Sequence, residues 1–418
     1  MRMIVRAFLS SVVGLATMSI VGCGHYKCGT TFGNATCATS GGGISQGGGT
    51  STNAAYVFAV DTSARTMDGY TLDTTANTLS PTASYIAPTI PADMGAGMVV
   101  AQGKYLYAAF RTTDQIYGWT ISSGGVLTTV SGSPYTAAFL TSINAGAVGQ
   151  QNMIANPAGT LLFFSDPVTN SIYVYQIGSG GVLTAAVGSP FAAPISPLNL
   201  TTDGKGKYLY ATDGFFGTHT GAQVAAFTIG SSGALASVAG SPFAYPMWQV
   251  EGEPSGLYLI GTTGNSKPSS LVDDDHLYVF SINQSTGAIT QVGVPVPTVY
   301  SPFTIAVQSN AGGSLVYSFG INDTDTGYNP IEGYQISSTG SLTAVSGSPF
   351  SGVSNGFWGQ FDQSGAFLFD YSSVVQVGTN NVVTTLGALD VGSGGALTQP
   401  TSAVPLVTGG YWVVTDAP

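Results

Sequence analysis

The chain has 418 residues and a formal net charge of −11, and only 7% of its residues are charged, against about 25% in an average globular protein. Its nine Lys and Arg residues do not provide the basic face that nucleic-acid binding needs, so we expect no nucleic-acid partner. The 44% of apolar residues excludes a disordered chain, and the 58 Gly residues indicate a β-rich protein with many tight turns.

Residues 1–22 are predicted to be a targeting segment. Arg2 and Arg6 precede an apolar run of about 15 residues, which is too short to span a membrane comfortably. The run ends in Ile20-Val21-Gly22-Cys23, which resembles a bacterial lipobox, where the cysteine is lipidated and becomes the first mature residue. The resemblance implies a lipoprotein of the cell envelope, periplasmic or surface-facing, and Gly24 favours the outer membrane. A plain secretory signal with a chance cysteine is the alternative.

Residues 23–55 read as a lipid-anchored tether. Cys28 and Cys37 favour a small disulfide-closed loop in an oxidising envelope, with a reactive thiol or metal pair as the alternative. Two Gly triplets follow, at residues 41–43 and 47–49, and they are typical of a flexible Gly/Ser linker. Folded structure is therefore expected from about Tyr56.

One four-residue phrase recurs beyond the tether. Its near-copies stand 56, 52 and 107 residues apart, at Gly132-Ser133-Pro134-Tyr135, Gly188-Ser189-Pro190-Phe191, Gly240-Ser241-Pro242-Phe243 and Gly347-Ser348-Pro349-Phe350. The last spacing is about twice the others, so one copy has decayed, near Val294-Pro295-Val296-Pro297. A period of this length indicates an array of like modules.

Each module reads as four short strands, a to d. In the third module these are residues 152–155, 161–164, 171–177 and 182–184, separated by Gly, Pro and Ser turns. Four-stranded antiparallel modules of this length are propeller blades. Seven strand-a segments occur, and the segment 411–414 stands alone after the last full module. The sequence therefore predicts an all-β, seven-bladed β-propeller over residues 56–418, closed by the C-terminal strand completing the first blade. A β-helix or a pair of sandwiches is the alternative.

Loops on one face carry the distinctive polar residues. Three consecutive b–c loops, at residues 213–221, 262–275 and 320–330, are long, and binding usually lies in such loops on a rigid scaffold. One loop contains His219, a candidate site base, and the next contains Asp275 at the end of an acidic triplet. The third reads Asn322-Asp323-Thr324-Asp325, an oxygen-rich pattern that suggests a Ca²⁺ ion held by Asn322, Asp323 and Asp325. Solvated loop charge is the alternative in all three.

The inner strands supply further candidates. Trp248, Trp358 and Trp412 occupy similar places on three strand-a segments, where their rings could stack on a sugar or simply pack in the tapering core. Glu251 lies on an inner strand and could face the channel. As a general base it would need a raised pKa, a partner and a substrate within reach.

Residues 56–418 resemble the lactonase-like seven-bladed propellers, the group that includes bacterial 6-phosphogluconolactonase. The resemblance rests on the repeated strand b, on c–d units such as residues 172–184, and on strand-a ends such as Thr202-Asp203-Gly204. Catalytic members of the group tend to carry Pro-Arg-His-like triplets at the start of inner strands. The matching places here read Gln151-Asn152-Met153, Pro197-Leu198-Asn199, Pro246-Met247-Trp248 and Pro302-Phe303-Thr304.

Two functional hypotheses follow from this pattern. In the first, the propeller is a monomeric, lipid-anchored binding module for a glycan, small molecule or protein, without the Arg and His residues of the catalytic members. In the second, it is an envelope hydrolase that opens uncharged lactones with Glu251, His219 or Asp275 activating water, and Ca²⁺ assisting. A phosphorylated lactone fits neither, because after residue 22 only two arginines remain, Arg65 and Arg111.

Overall fold

The computed structural model describes sixteen stretches of the chain: residues 55–61, 64–74, 78–83, 85–92, 97–138, 140, 152–213, 223–263, 275–310, 313–321, 330–351, 353, 358–375, 382–399, 404–406 and 412–416. The predicted targeting segment and Cys23, Cys28 and Cys37 lie outside them. Nearly all regular structure in the described residues is β-strand. In that part of the chain no helix is long and apolar enough to cross a membrane.

The described residues form 32 strands and two short 3-10 turns, at Arg111–Thr113 and Ser179–Gly181. In chain order the strands are β1 (Ala55–Asp61), β2 (Thr66–Asp73), β3 (Thr78–Pro81), β4 (Gly97–Ala101), β5 (Tyr105–Phe110), β6 (Gln115–Ile121), β7 (Leu127–Thr129), β8 (Tyr135–Thr136), β9 (Met153–Ala155), β10 (Leu161–Asp166), β11 (Ser171–Ile177), β12 (Leu183–Ala185), β13 (Phe191–Ala192), β14 (Asn199–Thr202), β15 (Tyr208–Thr212), β16 (Val224–Ile229), β17 (Leu235–Ser237), β18 (Gln249–Gly252), β19 (Tyr258–Thr262), β20 (His276–Ile282), β21 (Ile289–Gln291), β22 (Val296–Pro297), β23 (Ser301–Asn310), β24 (Gly313–Ile321), β25 (Ile331–Ile336), β26 (Leu342–Ala344), β27 (Trp358–Phe361), β28 (Phe367–Val375), β29 (Val382–Val391), β30 (Leu397–Thr398), β31 (Val404–Leu406) and β32 (Trp412–Asp416).

These strands build seven antiparallel sheets, one for each predicted blade. Blade 1 has the order β32-β1-β2-β3, and blades 2 to 7 begin with the inner strands β4, β9, β14, β18, β23 and β27. The C-terminal strand β32 pairs antiparallel with β1, and each inner strand contacts the inner strand of the next blade around the full ring. The predicted seven-bladed propeller and its closure are therefore confirmed.

The core lies between the blades. Seven hydrophobic clusters each join two neighbouring blades, as between blades 3 and 4, where Phe163 and Leu209 are fully buried. Alternating side chains of a strand face opposite sides of its sheet, so every blade contributes to two clusters. Each fully buried aliphatic or aromatic side chain contributes roughly 1.5–3 kcal/mol, which makes blade contact the main source of stability.

The Gly-Ser-Pro-Phe phrase turns the chain from the outer strand d toward the next blade. Its glycines have φ between +83° and +89°, a conformation that favours glycine, and its four Ser–Pro peptide bonds are cis. In each copy the serine Oγ accepts a hydrogen bond from a backbone N–H of strand c, 2.9 Å long from Val174 to Ser189. The aromatic residue then pairs with strand c again. The decayed copy coincides with β22, which pairs with strand c of blade 5 in the same way.

In several blades a tyrosine of strand b is hydrogen-bonded to the c–d turn of the next blade. Tyr107 Oη donates to the carbonyl oxygen of Gly181 at 2.6 Å, and Tyr210 Oη donates to that of Gly287 at 3.0 Å. Tyr317 makes the same bond to Gly395. These bonds hold the blade-to-blade register, and with it the alignment of the inner strands around the channel.

Candidate functional site

A cavity of about 520 Å³ opens where inner strands of the ring meet. Its lining comes from blades 2, 3, 6 and 7, so it lies on the central channel, at the end formed by the a–b turns; the lining residues are Val99, Val100, Ala101, Gln102, Ile154, Ala155, Asn156, Pro157, Gln308 and Gln363. Every one of these side chains is neutral. The cavity therefore offers both aliphatic surface and side-chain amide groups to a ligand.

Strand pairing shows which residues stand at the same height in the channel wall. In every blade, strand b has a Leu or Val at one shared position. The residue that follows this position in strand b pairs with one residue of the inner strand. We call this set the Glu251 level: Val99, Ile154, Thr201, Glu251, Ala306, Gln360 and Val413. The adjacent level, one residue nearer the a–b turns, is Val100, Ala155, Thr202, Gly252, Val307, Phe361 and Val414.

Glu251 is the one ionisable side chain among these fourteen residues. Val99 and Ile154 of its own level line the cavity, as do Val100 and Ala155 of the adjacent level. Glu251 thus shares a strand level with Val99 and Ile154, although it is not itself among the residues that line the cavity.

Two side chains hold the half-buried carboxylate. Thr201 of the neighbouring inner strand donates its hydroxyl to Oε2 at 3.1 Å, and Gln249 donates its amide to Oε1 at 3.2 Å. Burial raises the pKa of Glu251 to about 7, and these two bonds only partly oppose that rise. A carboxyl group with such a pKa can exchange protons near neutral pH, as a general base or acid must.

The inner strands of blades 4 and 5 approach closely at this point. A Cβ on Gly252 would stand 2.0 Å from the carbonyl oxygen of Thr202, and one on Gly204 would stand 2.4 Å from that of Pro254. The backbone N–H of Gly252 also donates to the Thr201 hydroxyl at 3.1 Å. Glycine at both places lets the two strands come together, and this brings Thr201 within reach of Glu251.

The three predicted tryptophans contribute to packing. Trp248 is 8% exposed and its ring stacks on Phe303 with centroids 5.6 Å apart, and Trp412 is 3% exposed. Trp358 is half-buried against the cluster between blades 1 and 7. Two of the rings therefore have little surface left for a ligand, which favours the packing alternative.

The structure does not bring Asp275 to Glu251. Asp275 precedes β20 and lies four residues before Val279. Val279 pairs with Ile260, and Ile260 pairs with Glu251, so Val279 stands level with Glu251. At about 3.3 Å per residue and 4.8 Å per strand, the two carboxylates are separated by about 13 Å along the blade and about 10 Å across it. Asp275 lies at the b–c end of the blade, and its catalytic role remains a prediction.

The remaining candidates, His219, Asn322, Asp323 and Asp325, lie outside the described residues, as do most of the three long loops. Within the described stretches, no group of three or more His, Cys, Asp or Glu side chains could hold a metal ion.

Sequence reasoning missed two features. It looked for binding on the long-loop face, whereas the described cavity opens at the opposite end, among the short a–b turns. It also passed over Glu332, whose buried carboxylate accepts backbone N–H bonds from Val299 and Tyr300 and a 2.7 Å bond from the Tyr334 hydroxyl. Glu332 thereby fixes the connection from blade 5 to blade 6. A lone glutamate on a strand without another charged residue was the available signal.

The comparisons with known proteins agree with this fold. The 6-phosphogluconolactonases of Yersinia pestis and Yersinia pseudotuberculosis are 28% identical to this chain over 185 residues, which is 42% of this chain and 49% of theirs. The predicted resemblance to the lactonase-like propellers is confirmed. The chain spans about half the length of the curated relatives that it matches. No family model matches it.

Solved structures with the same fold cover most of the chain. A candidate 6-phosphogluconolactonase of Bacteroides uniformis superimposes with a TM-score of 0.60 at 13% identity, covering 87% of this chain and 99% of its own. The periplasmic gluconolactonase of Pseudomonas aeruginosa gives a TM-score of 0.57 at 13% identity, covering 88% and 99%. At such identities the likeness shows the fold alone.

Proposed function

We propose that this lactonase-like propeller is a binding module that takes a neutral, hydroxyl-rich small molecule of the sugar-lactone class into its channel cavity. The observation that carries the proposal is the lining, in which the aliphatic Val99, Val100 and Ile154 stand with the amides of Gln102, Gln308 and Gln363. Small-molecule sites typically combine an apolar wall with a few polar groups that fix orientation. A sugar ring, with apolar C–H faces and hydroxyl edges, matches both.

The lining argues against a phosphorylated ligand. Phosphate recognition draws on Arg or Lys donors, and the two channel levels contain neither. Arg111 lies at the far end of β5, on the side of the b–c turns. The substrate in the name of the Yersinia relatives is therefore not the one that we propose here.

A second candidate function is hydrolysis of an uncharged lactone, favoured by the raised pKa of Glu251. As general base, its carboxylate would take a proton from a water molecule attacking the lactone carbonyl, held in place by Thr201 and Gln249. The name of the Pseudomonas neighbour, a periplasmic gluconolactonase, supports the same substrate class.

A calorimetric titration and a pH-stat assay test the two functions separately. We expect glucono-1,5-lactam, a neutral lactone mimic that resists hydrolysis, to bind the full chain, and 6-phosphogluconate to bind much more weakly. If the chain also hydrolyses D-glucono-1,5-lactone above the spontaneous rate, Glu251→Gln should abolish that excess while Asp275→Asn leaves it unchanged. Failure of the lactam to bind would refute the binding proposal.

We also propose that the protein is a monomer anchored to the cell envelope through lipid on Cys23. The lipobox-like Ile20-Val21-Gly22-Cys23 and the Gly-rich tether support this proposal. On expression in a bacterium with two membranes, the chain should fractionate with the outer membrane, and Cys23→Ser should shift it to the soluble fraction. A chain that stays soluble with Cys23 intact would contradict the anchor.

A further inference from the structure

Both ends of the propeller lie on the face formed by the a–b and c–d turns, which we call the tether face. β1 is a strand b, so it begins at this end of its blade, and its first residue Ala55 pairs with Asp416, the last residue of β32. The predicted tether therefore joins the propeller on the tether face. The channel cavity lies at the same end, among the a–b turns.

The three lysines in the described part of the chain all lie on the tether face. Lys104 is the last residue before β5 in the a–b turn of blade 2, and Lys205 and Lys207 lie in the a–b turn of blade 4. All three are exposed. Lys207 donates to the carbonyl oxygen of Gln284, and its ammonium group lies 5.0 Å from the centre of the Tyr208 ring. Neither contact neutralises its charge.

The carboxylates of the described a–b turns are buried in the turns themselves. Asp203, Glu253 and Asp362 are each at most 3% exposed. Asp203 accepts two backbone N–H bonds at 2.7 Å, Glu253 accepts the Ser314 hydroxyl at 2.5 Å, and Asp362 accepts the Phe367 N–H at 2.8 Å. The exposed ammonium groups are therefore the outermost charges of these turns.

The other acidic residues of the tether face lie in blades 1 and 7. Asp73 is exposed at the end of β2, Asp390 is half-buried near the end of β29, and Asp416 ends β32. In blades 2 to 6, the described a–b and c–d turns contain no exposed carboxylate. These five blades form the positive part of the tether face, although the whole chain has a net charge of −11.

We propose that blades 2 to 6 of the tether face dock on an anionic phospholipid surface, so that the cavity opens toward the membrane. This inference rests on the proposed lipid anchor at Cys23. Each lysine near an anionic membrane strengthens adsorption by roughly fivefold, so three lysines together give on the order of a hundredfold. Roughly 30 residues separate Cys23 from Ala55, and a Gly/Ser linker of that length spans about 30 Å. The anchor thus keeps the propeller at high effective concentration beside the membrane, where a weak charge interaction is enough to orient it.

Lysine acetylation on vesicles tests this orientation with the lipidated protein. The full chain is expressed in a bacterium with two membranes, purified, and added to preformed vesicles of phosphatidylcholine alone or with about one third phosphatidylglycerol. A membrane-impermeant acetylating reagent is then followed by mass spectrometry. Lys104 and Lys205 should react at least about threefold more slowly on the anionic vesicles than on the neutral ones. About 1 M salt, which shortens the screening length to about 3 Å, should remove the difference.

Two double variants remove equal charge from opposite faces, with Lys207 as the reporter. Lys104→Gln combined with Lys205→Gln should abolish the protection of Lys207 on anionic vesicles. Arg65→Gln combined with Arg111→Gln changes the b–c side of blades 1 and 2, and it should leave the protection of Lys207 as in the wild type. Circular dichroism verifies that each variant is folded.

The outcomes separate this inference from the proposed anchor. If the wild type floats with neither kind of vesicle in a density gradient, the anchor fails and the orientation falls with it. If it floats with both but Lys104 and Lys205 react equally on the two, the anchor stands and the orientation is wrong. Equal protection of Lys207 in the two double variants would mean that the lysines of the a–b turns do not orient the propeller.

Discussion

Single residues in the wall of this channel have defined physical roles. Glu251 combines a half-buried position with bonds to Thr201 and Gln249 that come from two different strands. The Gln249 side-chain amide also donates to the carbonyl oxygen of Ile305 and accepts from the Ile305 N–H, at 3.1 Å each. The carboxylate is therefore held by blades 4, 5 and 6 together.

The raised pKa of Glu251 predicts a pH-dependent stability. Because its pKa is about 7 in the fold against 4.5 for the free side chain, the folded protein binds more protons than the unfolded chain between these values. The protonated Glu251 contributes about 1–3 kcal/mol to the free energy of unfolding. This contribution is fully present below about pH 4.5 and is lost as the pH rises to about 7. Glu251→Gln should therefore be more stable than the wild type at pH 8 and equal to it at pH 4 in urea unfolding. Equal stability at pH 8 would show that the carboxyl titrates normally.

Gly252 should be intolerant of any side chain. A Cβ there would stand 2.0 Å from the backbone oxygen of Thr202, so the inner strands of blades 4 and 5 would have to separate. Gly252→Ala should cost about 2–4 kcal/mol in chemical unfolding, at or above the usual range for overpacking. Gly394→Ala is the matched control, because no atom lies within 4 Å of its Cβ position, and it should change stability by less than about 0.5 kcal/mol. Similar effects of the two substitutions would contradict the close approach.

At the scale of elements, the repeated phrase is a connector with a defined hydrogen bond. Each serine satisfies a strand-c N–H that the short outer strand d leaves unpaired. Backbone N–H groups buried without a partner cost free energy, so in these four blades the serine supplies an acceptor in place of a longer strand d.

Ser189→Ala should therefore destabilise the protein. It removes the acceptor of the Val174 N–H, and an unsatisfied buried donor costs about 1–3 kcal/mol. Ser285→Ala, in the exposed c–d turn of blade 5, is the control and should be nearly neutral. Thermal unfolding of both variants checks the expectation, and a Ser189→Ala melting temperature equal to that of the control would count against it.

The elements were predictable from the sequence, whereas the site was only partly so. Gly, Pro and Ser mark most strand ends, and such turn chemistry is local, so the blade count and the strand order followed from spacing alone. The pairing of Thr201 with Glu251 joins residues 50 positions apart in two blades, and it depends on how closely those blades approach. The cavity likewise depends on ring closure, which no local pattern encodes, so the sequence directed attention to the long-loop face instead.

At the scale of the whole molecule, the ring is held shut by β32. This strand supplies the inner strand of blade 1, and its residues Trp412, Val413 and Val414 are all at most 5% exposed. Without it the edge of β1 would be open, and open edges invite pairing with other chains. The closure also places Val413 and Val414 in the two channel levels, so the site depends on both ends of the propeller.

Deletion of residues 411–418 should consequently disable both fold and site. Loss of three buried apolar side chains alone removes about 5–9 kcal/mol, comparable with the total stability of many proteins. We expect the truncated chain to aggregate or unfold on size-exclusion chromatography.

A circular permutant that joins residue 418 to residue 55 through a short Gly/Ser linker, with new termini in the exposed c–d turn at residues 285–286, should instead stay monomeric and bind glucono-1,5-lactam. Because the permutant keeps every blade contact and changes only connectivity, its failure to fold would mean that closure requires the order of strands in the chain as well as their pairing.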